Sequence, residues 1–137
     1  MQEKYWSTLK KYVERVVENE KPLGIILFGP LAKEEAIAES DIDVVVIYGH
    51  EIDFKEKSLV LRELDDSCLI EPFPYSYAQV ERMLRELNPF MFEVFTDGIV
   101  LYERNDKISK LFKLKERIFR EFRIERVDGG WNIEAKA

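Results

Sequence analysis

Two aspartates, Asp41 and Asp43, stand at the head of a strongly apolar run and are the residues best suited to chemistry. The run after Asp43 is VVVIY, which is typical of a strand buried on both faces. Because residues i and i+2 project from the same face of a strand, both carboxylates would point the same way, about 6.6 Å apart along the chain. Mg²⁺ is commonly bound by one or two carboxylates together with substrate phosphates. The spacing therefore predicts a divalent-cation site for a phosphorylated substrate.

The Asp-x-Asp spacing has a simpler reading, because aspartates also decorate turns and the starts of strands. The apolar surroundings of Asp43 favour function, since a carboxylate that points inward among apolar side chains is costly unless it is paired or binds a cation. Both readings stay open on the spacing alone.

The segment before the aspartates predicts how they are positioned. Residues 23–29, LGIILFG, are continuously apolar and predict a buried strand that ends at Gly29 and Pro30. The ten residues LAKEEAIAES, 31–40, favour a short helix or turn before the second strand over 42–48. The expected order is strand, glycine turn, short helix and aspartate-headed strand.

This arrangement resembles the polymerase-β-type nucleotidyltransferase superfamily, and in particular its minimal members. Their signature is Gly-Ser, a ten-residue spacer and Asp-x-Asp, and FGP, LAKEEAIAES and DID match that frame here. Glu71 is the best match to the family's third carboxylate, and Gly98 to Tyr102 resembles its Gly-x-x-Leu-Tyr strand, so the resemblance covers about residues 22–102.

The resemblance implies a mixed sheet flanked by helices, an α/β fold of the polymerase-β-like type. It also implies transfer of a nucleotidyl group, with AMP from ATP as the expected case, to a hydroxyl acceptor. Asp41, Asp43 and Glu71 would be the catalytic residues and would hold one or two Mg²⁺ ions, with Glu71 helping to deprotonate the acceptor. The nucleotide would be bound beside four residues of the turn and spacer, namely Gly29, Pro30, Lys33 and Ser40.

Three positions depart from the family pattern. Pro30 replaces the usual serine, which removes a hydroxyl and a backbone donor that could hold a phosphate. The spacer has Lys33 but lacks the common arginine, and Glu71 is longer than the usual aspartate. The first two departures predict weakened triphosphate binding, whereas the longer Glu71 either displaces the metal or has a structural role.

The remaining periodicities predict the rest of the domain. Helices are expected over 3–18, 54–64, 77–87 and 105–120, and Pro89 favours a helix over 89–96. Strands are expected over 66–73, stopped by Pro72 and Pro74, and over 98–102. A terminal hairpin is expected around Asp128, Gly129 and Gly130. Cys68 is expected to be a buried core residue and His50 a surface residue.

Composition limits the class of protein. The 137 residues fit a single domain, 1–137, and 46% hydrophobic residues are enough to form a core. The net charge of −6 argues against a broad nucleic-acid-binding face. No apolar run suggests a membrane span or signal peptide, so the expected location is the cytoplasm. The abundance of Lys, Glu and Arg resembles proteins from hot environments.

The small size leaves little material for an acceptor-binding domain, so a partner protein or a second copy is expected to complete the site. Minimal members of the superfamily often pair with a HEPN-type toxin and neutralise it, which by resemblance implies an antitoxin role. Two alternatives remain. The chain could be a degenerate module that acts by contact alone, or a domain that binds a nucleotide as a regulatory ligand.

Overall fold

The computed structural model describes residues 3–33 and 41–135. Along the chain, the elements are α1 (Glu3–Glu20), β1 (Gly24–Phe28), α2 (Gly29–Ala32), β2 (Ile42–Tyr48), α3 (Phe54–Glu63), β3 (Ile70–Ser76), α4 (Tyr77–Arg85), α5 (Pro89–Asp97), β4 (Ile99–Glu103), α6 (Lys107–Phe122), β5 (Ile124–Val127) and β6 (Gly130–Ile133). None of the helices in these ranges is both long and apolar enough to cross a bilayer.

The central sheet is mixed, with strand order β3-β2-β1-β4. β1 runs antiparallel to both β2 and β4, whereas β2 and β3 are parallel. β5 and β6 form a separate two-stranded ribbon. The mixed sheet with flanking helices and a C-terminal hairpin confirms the predicted polymerase-β-like fold.

Helices cover both faces of the sheet, which explains why β1 is apolar throughout and β2 is apolar except at Asp43. On one face, Tyr5, Leu9, Tyr12 and Val16 of α1 pack with Leu61 of α3 against the sheet. On the other face, side chains of α4, α5 and α6 pack around Ile26, Val45 and Ile47. Strands buried on both faces need no polar alternation.

Local sequence signals explain several helix boundaries. The Ser76 hydroxyl accepts a hydrogen bond from the Gln79 backbone N–H at 3.1 Å, and the Gln79 side chain accepts one from the Ser76 N–H at 2.8 Å. The Asn88 side chain accepts from the Met91 N–H at 3.2 Å, ahead of a helix that begins with Pro89. These caps satisfy N–H groups that the first helical turn leaves unpaired. The helix favoured over 89–96 is confirmed.

The prediction that Pro72 and Pro74 stop the third strand is wrong. Both lie inside β3, which pairs with β2 along its whole length and forms an edge of the sheet. The Leu69 carbonyl accepts from the Ile42 N–H at 2.7 Å, so alternation turns the backbone of Glu71, Phe73 and Tyr75 toward β2. The prolines then face the open edge, where no ladder donor is needed.

The prediction that Cys68 is a buried strand residue is also wrong. Cys68 is a free, exposed thiol with φ +61°, in the turn before β3. The Asp65 carboxylate organises this turn by accepting hydrogen bonds from the N–H groups of Ser67 and Ile70. The short turn uses residues that the strand was expected to contain, so β3 starts at Ile70.

Candidate functional site

Asp43 and Glu71 are direct register partners on the parallel strands β2 and β3. On the other side of β2, Asp43 is opposite Phe28 of the antiparallel strand β1. Side chains at paired positions lie on the same face of a sheet, so Phe28, Asp43 and Glu71 form one row. The sheet therefore brings Glu71 beside Asp43. Asp41 precedes β2 by one residue and is exposed.

Gly29 directly follows β1 and turns the chain over the carboxylate of Asp43. Its φ of +77° lies in the left-handed region that glycine adopts without steric penalty. A Cβ atom at this position would lie 2.5 Å from Oδ2 of Asp43, so a side chain cannot be accommodated without displacing the carboxylate. The turn and the carboxylate are thus packed against each other at the start of α2.

Asp43 holds its charge in an unfavourable environment. Burial, together with the negative charges of Asp41 and Glu71, raises the pKa of Asp43 to about 6. Three rings in edge or tilted contact lie on the same face: Phe28 is 5.3 Å from both Phe73 and Phe90 between ring centroids. All three belong to the hydrophobic core on this face of the sheet, with Phe28 buried and Phe73 and Phe90 partly buried.

Glu71 forms an ion pair with Arg62 of α3. The two side chains form part of the wall of an open groove of about 380 Å³ between α3 and β3, and the apolar wall residues include Phe54, Leu59, Pro72 and Phe73. Glu71 therefore stands between two environments, the Asp43 carboxylate on one side and the groove on the other.

The donor set suits Mg²⁺, which prefers carboxylate oxygens and takes few protein ligands. Burial and the neighbouring negative charges together raise the pKa of Asp43, and a bound cation would offset both effects on the carboxylate. Across residues 3–33 and 41–135, however, no three His, Cys, Asp or Glu side chains converge closely enough to hold a metal ion. With Glu71 engaged by Arg62, the carboxylates left that could hold a metal ion are those of Asp41 and Asp43.

The residues predicted to bind the nucleotide have different surroundings. Pro30 is exposed in the first turn of α2, next to Gly29. Lys33 directly follows α2 and forms ion pairs with Glu93 and Asp97 of α5, at 3.3 and 3.5 Å. Ser40 lies outside the described residues. The binding roles of these residues stay predictions.

Sequence reasoning missed two arginines near the site. Arg62 lies in α3 and contacts Glu71, and Arg126 lies in β5 and contacts Glu93 and Asp97. The sequence contains one signal for a cation at the position of Arg126. Glu93 and Asp97 are four residues apart on one helix, and two like charges at this spacing destabilise the helix unless a nearby cation offsets them. Nothing local identifies which residue supplies this cation. His50 is exposed, as predicted, with its ring near that of Tyr48.

Comparisons with known proteins identify the family of the chain and solved structures with a similar fold. The family model described as "Polymerase beta, Nucleotidyltransferase" matches residues 10–107. No curated protein matches the chain at the sequence level. A solved toxin-antitoxin structure with AMP-PNP is similar over 81% of this chain and 86% of the other, with 17% identity and a TM-score of 0.59.

Two other solved structures share the fold. One is the toxin-antitoxin MntA-HepT, with 16% identity, a TM-score of 0.56, and coverage of 84% of this chain and 86% of the other. The second is a tri-AMPylated Shewanella oneidensis HEPN toxin in complex with its MNT antitoxin, with 17% identity, a TM-score of 0.52 and the same coverage. At these identities the likeness concerns the fold. By the family match, which spans most of its length, the chain belongs to the polymerase beta nucleotidyltransferase family.

Proposed function

We propose that the protein is a Mg²⁺-dependent nucleotidyltransferase that moves AMP from ATP to a hydroxyl group on a partner protein. The observation that carries the proposal is the row formed by Asp43 and Glu71 on paired strands, closed by the Gly29 turn against the Asp43 carboxylate. This row places carboxylates, a turn able to approach phosphates closely and an open groove at one end of the sheet.

The proposed reaction is an in-line displacement at the α-phosphorus of ATP. The acceptor oxygen forms the new bond to phosphorus, the bond to the bridging oxygen of the β-phosphate breaks, and pyrophosphate leaves. The hydroxyl proton passes to the Glu71 carboxylate and then to solvent. Glu71 would have to leave Arg62 for this role, and its position at the wall of the groove places it on the side from which an acceptor could approach.

Asp41 and Asp43 would hold the magnesium. The bound ion supplies Lewis-acid stabilisation of charge on the phosphoryl oxygens. The chain's own contribution is to place Asp41 and Asp43 on either side of Ile42, the first residue of β2, and to shield Asp43 partly from bulk water by burial. This shielding strengthens electrostatic interactions at the reacting phosphate.

We propose a HEPN-type toxin as the acceptor, which makes the chain an antitoxin of the cytoplasm. The support is the fold shared with antitoxins in toxin-antitoxin structures, one of which contains a tri-AMPylated HEPN toxin. The wall of the groove beside Glu71 includes exposed Phe54 and Leu59 and is the surface best suited to receive a segment of the partner.

The test combines affinity capture from the native host with transfer of label from α-labelled ATP. We expect a small helical partner to be recovered and to become labelled only when Mg²⁺ is present. Recovery of a partner that is never labelled, together with no triphosphate binding by calorimetry, would contradict the enzymatic proposal.

The alternative, a module that neutralises its partner by contact alone, is favoured by two observations. Pro30 offers no backbone donor to a phosphate, and both Lys33 and Glu71 are occupied by ion pairs. A regulatory nucleotide-binding role is the third candidate, and binding of ATP without transfer to any captured partner would support it.

Replacing Pro30 with serine is expected to tighten Mg²⁺-dependent ATP binding by about tenfold. The change restores a backbone N–H and a hydroxyl beside the Gly29 turn, and a hydrogen bond to a charged group contributes about 1.5–3 kcal/mol. Calorimetric titration measures the effect, with Pro89→Ser as a matched change at the first position of α5. Unchanged affinity in Pro30→Ser would show that proline does not limit phosphate binding.

A further inference from the structure

Four charged side chains from three elements meet beside the end of α2. Glu93 and Asp97 lie one turn apart on α5, and each is in ion-pair distance of both Lys33 and Arg126. The Arg126 Nη2 atom is 2.7 Å from Oδ2 of Asp97 and 3.2 Å from Oε2 of Glu93. We call these four residues the charge cluster. Its two cations balance its two carboxylates.

The charge cluster lies close to the Gly29 turn. The Lys33 N–H donates to the Gly29 carbonyl at 3.3 Å, so Lys33 stands one helical turn from the glycine that contacts Asp43. Lys33 is the spacer residue predicted to meet the triphosphate, yet both of its ion-pair partners are carboxylates of α5. Those carboxylates would repel the triphosphate and hold Lys33 away from it unless a second cation offset them.

Arg126 supplies that second cation from outside the family match, which ends at residue 107. The hairpin that carries Arg126 is held by aromatic packing: the Trp131 ring lies 5.7 Å from Phe92 and 5.6 Å from Phe119 between centroids. The Arg126 guanidinium also lies 4.8 Å from the centroid of the Trp131 ring. A rigid planar cation held over an aromatic ring is well suited to bridging two carboxylates.

The state of Asp97 agrees with this arrangement. Its contact with the Arg126 guanidinium lowers the pKa of Asp97 from its usual value, so the carboxylate stays ionised and depends on a cation partner. Removing Arg126 would leave one lysine facing two carboxylates and a net negative charge beside the triphosphate.

We propose that Arg126 is a positioning residue for nucleotide binding: it neutralises Glu93 and Asp97, so that Lys33 can bind the triphosphate. The inference rests on the proposed function. It also gives the C-terminal hairpin a role, because this element compensates for the arginine that the spacer lacks. The substrate class is a nucleoside triphosphate, and Arg126 acts on it through Lys33.

The test is calorimetric titration of Mg²⁺ and ATP into Arg126→Gln, compared with the double variant Arg126→Gln/Asp97→Asn. We expect the single variant to bind about tenfold more weakly at low salt, since one charge within about 10 Å is worth this much at an effective dielectric constant near 20. The loss should shrink at high salt. The double variant should recover affinity to within about threefold, because its charge cluster is again neutral.

The matched control is Arg123→Gln, which removes the same charge from an exposed arginine at the start of the hairpin. It should bind ATP as the unchanged protein does. Thermal melts of all variants show whether the hairpin stays folded. Conservative replacement by lysine should retain most of the affinity, which a purely structural loss would not predict.

Three results would overturn the inference. Arg126→Gln could bind as tightly as the unchanged protein, which rejects the inference alone. The double variant could remain as weak as the single one, which would make Arg126 an anchor of the hairpin. Failure of the unchanged protein to bind any triphosphate would reject the proposed function and this inference together.

Discussion

Replacing Asp43 with asparagine is expected to weaken Mg²⁺-dependent ATP binding by about 100-fold or more and to abolish nucleotidyl transfer. Removal of groups that merely support metal ligands already costs roughly 10- to 100-fold in affinity, and Asp43 would be a ligand itself. The asparagine keeps the shape of the side chain and removes its charge. Titration of ATP with and without Mg²⁺ measures the effect, and Asp128→Asn in the hairpin turn is the matched control.

The same variant is expected to be more stable than the unchanged protein when no metal is present. The pKa of Asp43 is about 6 in the folded protein and 3.8 in the unfolded chain, so the folded state binds the proton more tightly. The Asp43 contribution to stability therefore falls as pH rises from about 4 through 6. Asparagine removes the cost of holding an ionised carboxylate at this position. The melting temperature of Asp43→Asn should therefore exceed that of the unchanged protein at pH 8 and equal it below pH 4.

The combination of the two results separates chemistry from folding. A variant that melts higher at pH 8 yet no longer binds Mg²⁺ and ATP has lost a ligand from an intact fold. If Asp43→Asn still binds ATP in a Mg²⁺-dependent manner, Asp43 does not hold the metal. If it melts lower at every pH, the carboxylate has a structural role in the Gly29 turn.

Much of the fold could be predicted because its signals are local. The bounds of β2, Ile42–Tyr48, were predicted from the apolar residues on both sides of Asp43, which end at Gly49. Ser76 and Asn88 cap helices through bonds to residues three positions away, so their roles can be read within one turn. The helix over 89–97 needed only the proline at its start to distinguish it from a strand.

The parts of the site that escaped prediction depend on contacts between distant segments. Periodicity does not reveal that β2 and β3 pair in parallel, which is what sets Glu71 beside Asp43. The ion pair of Arg62 with Glu71 depends on how α3 returns to the sheet, and that of Arg126 with Asp97 joins residues 29 positions apart. The prediction that Pro72 and Pro74 end β3 was wrong because a proline interrupts a central strand but is tolerated where its backbone faces an open sheet edge.

Replacing Gly29 with alanine is expected to lower the free energy of unfolding by about 1–2 kcal/mol and ATP affinity by at least about tenfold. The stability loss comes from the left-handed backbone, φ +77°, which costs an L-residue roughly this amount. The affinity loss has a different cause. The new Cβ would lie 2.5 Å from Oδ2 of Asp43, so the carboxylate must turn away from the position in which it would hold the metal.

Gly129→Ala isolates the backbone term, because Gly129 has φ +80° and no atom lies within 4 Å of the position its Cβ would take. This control should lose comparable stability and keep its affinity for ATP. Pairing Gly29→Ala with Asp43→Ala in a double-mutant cycle isolates the steric term, since the collision needs both side chains. A coupling energy near zero in ATP binding would show that the Gly29 turn and the Asp43 carboxylate act independently. The row of Asp43 and Glu71 beside the Gly29 turn would then not be the nucleotide site.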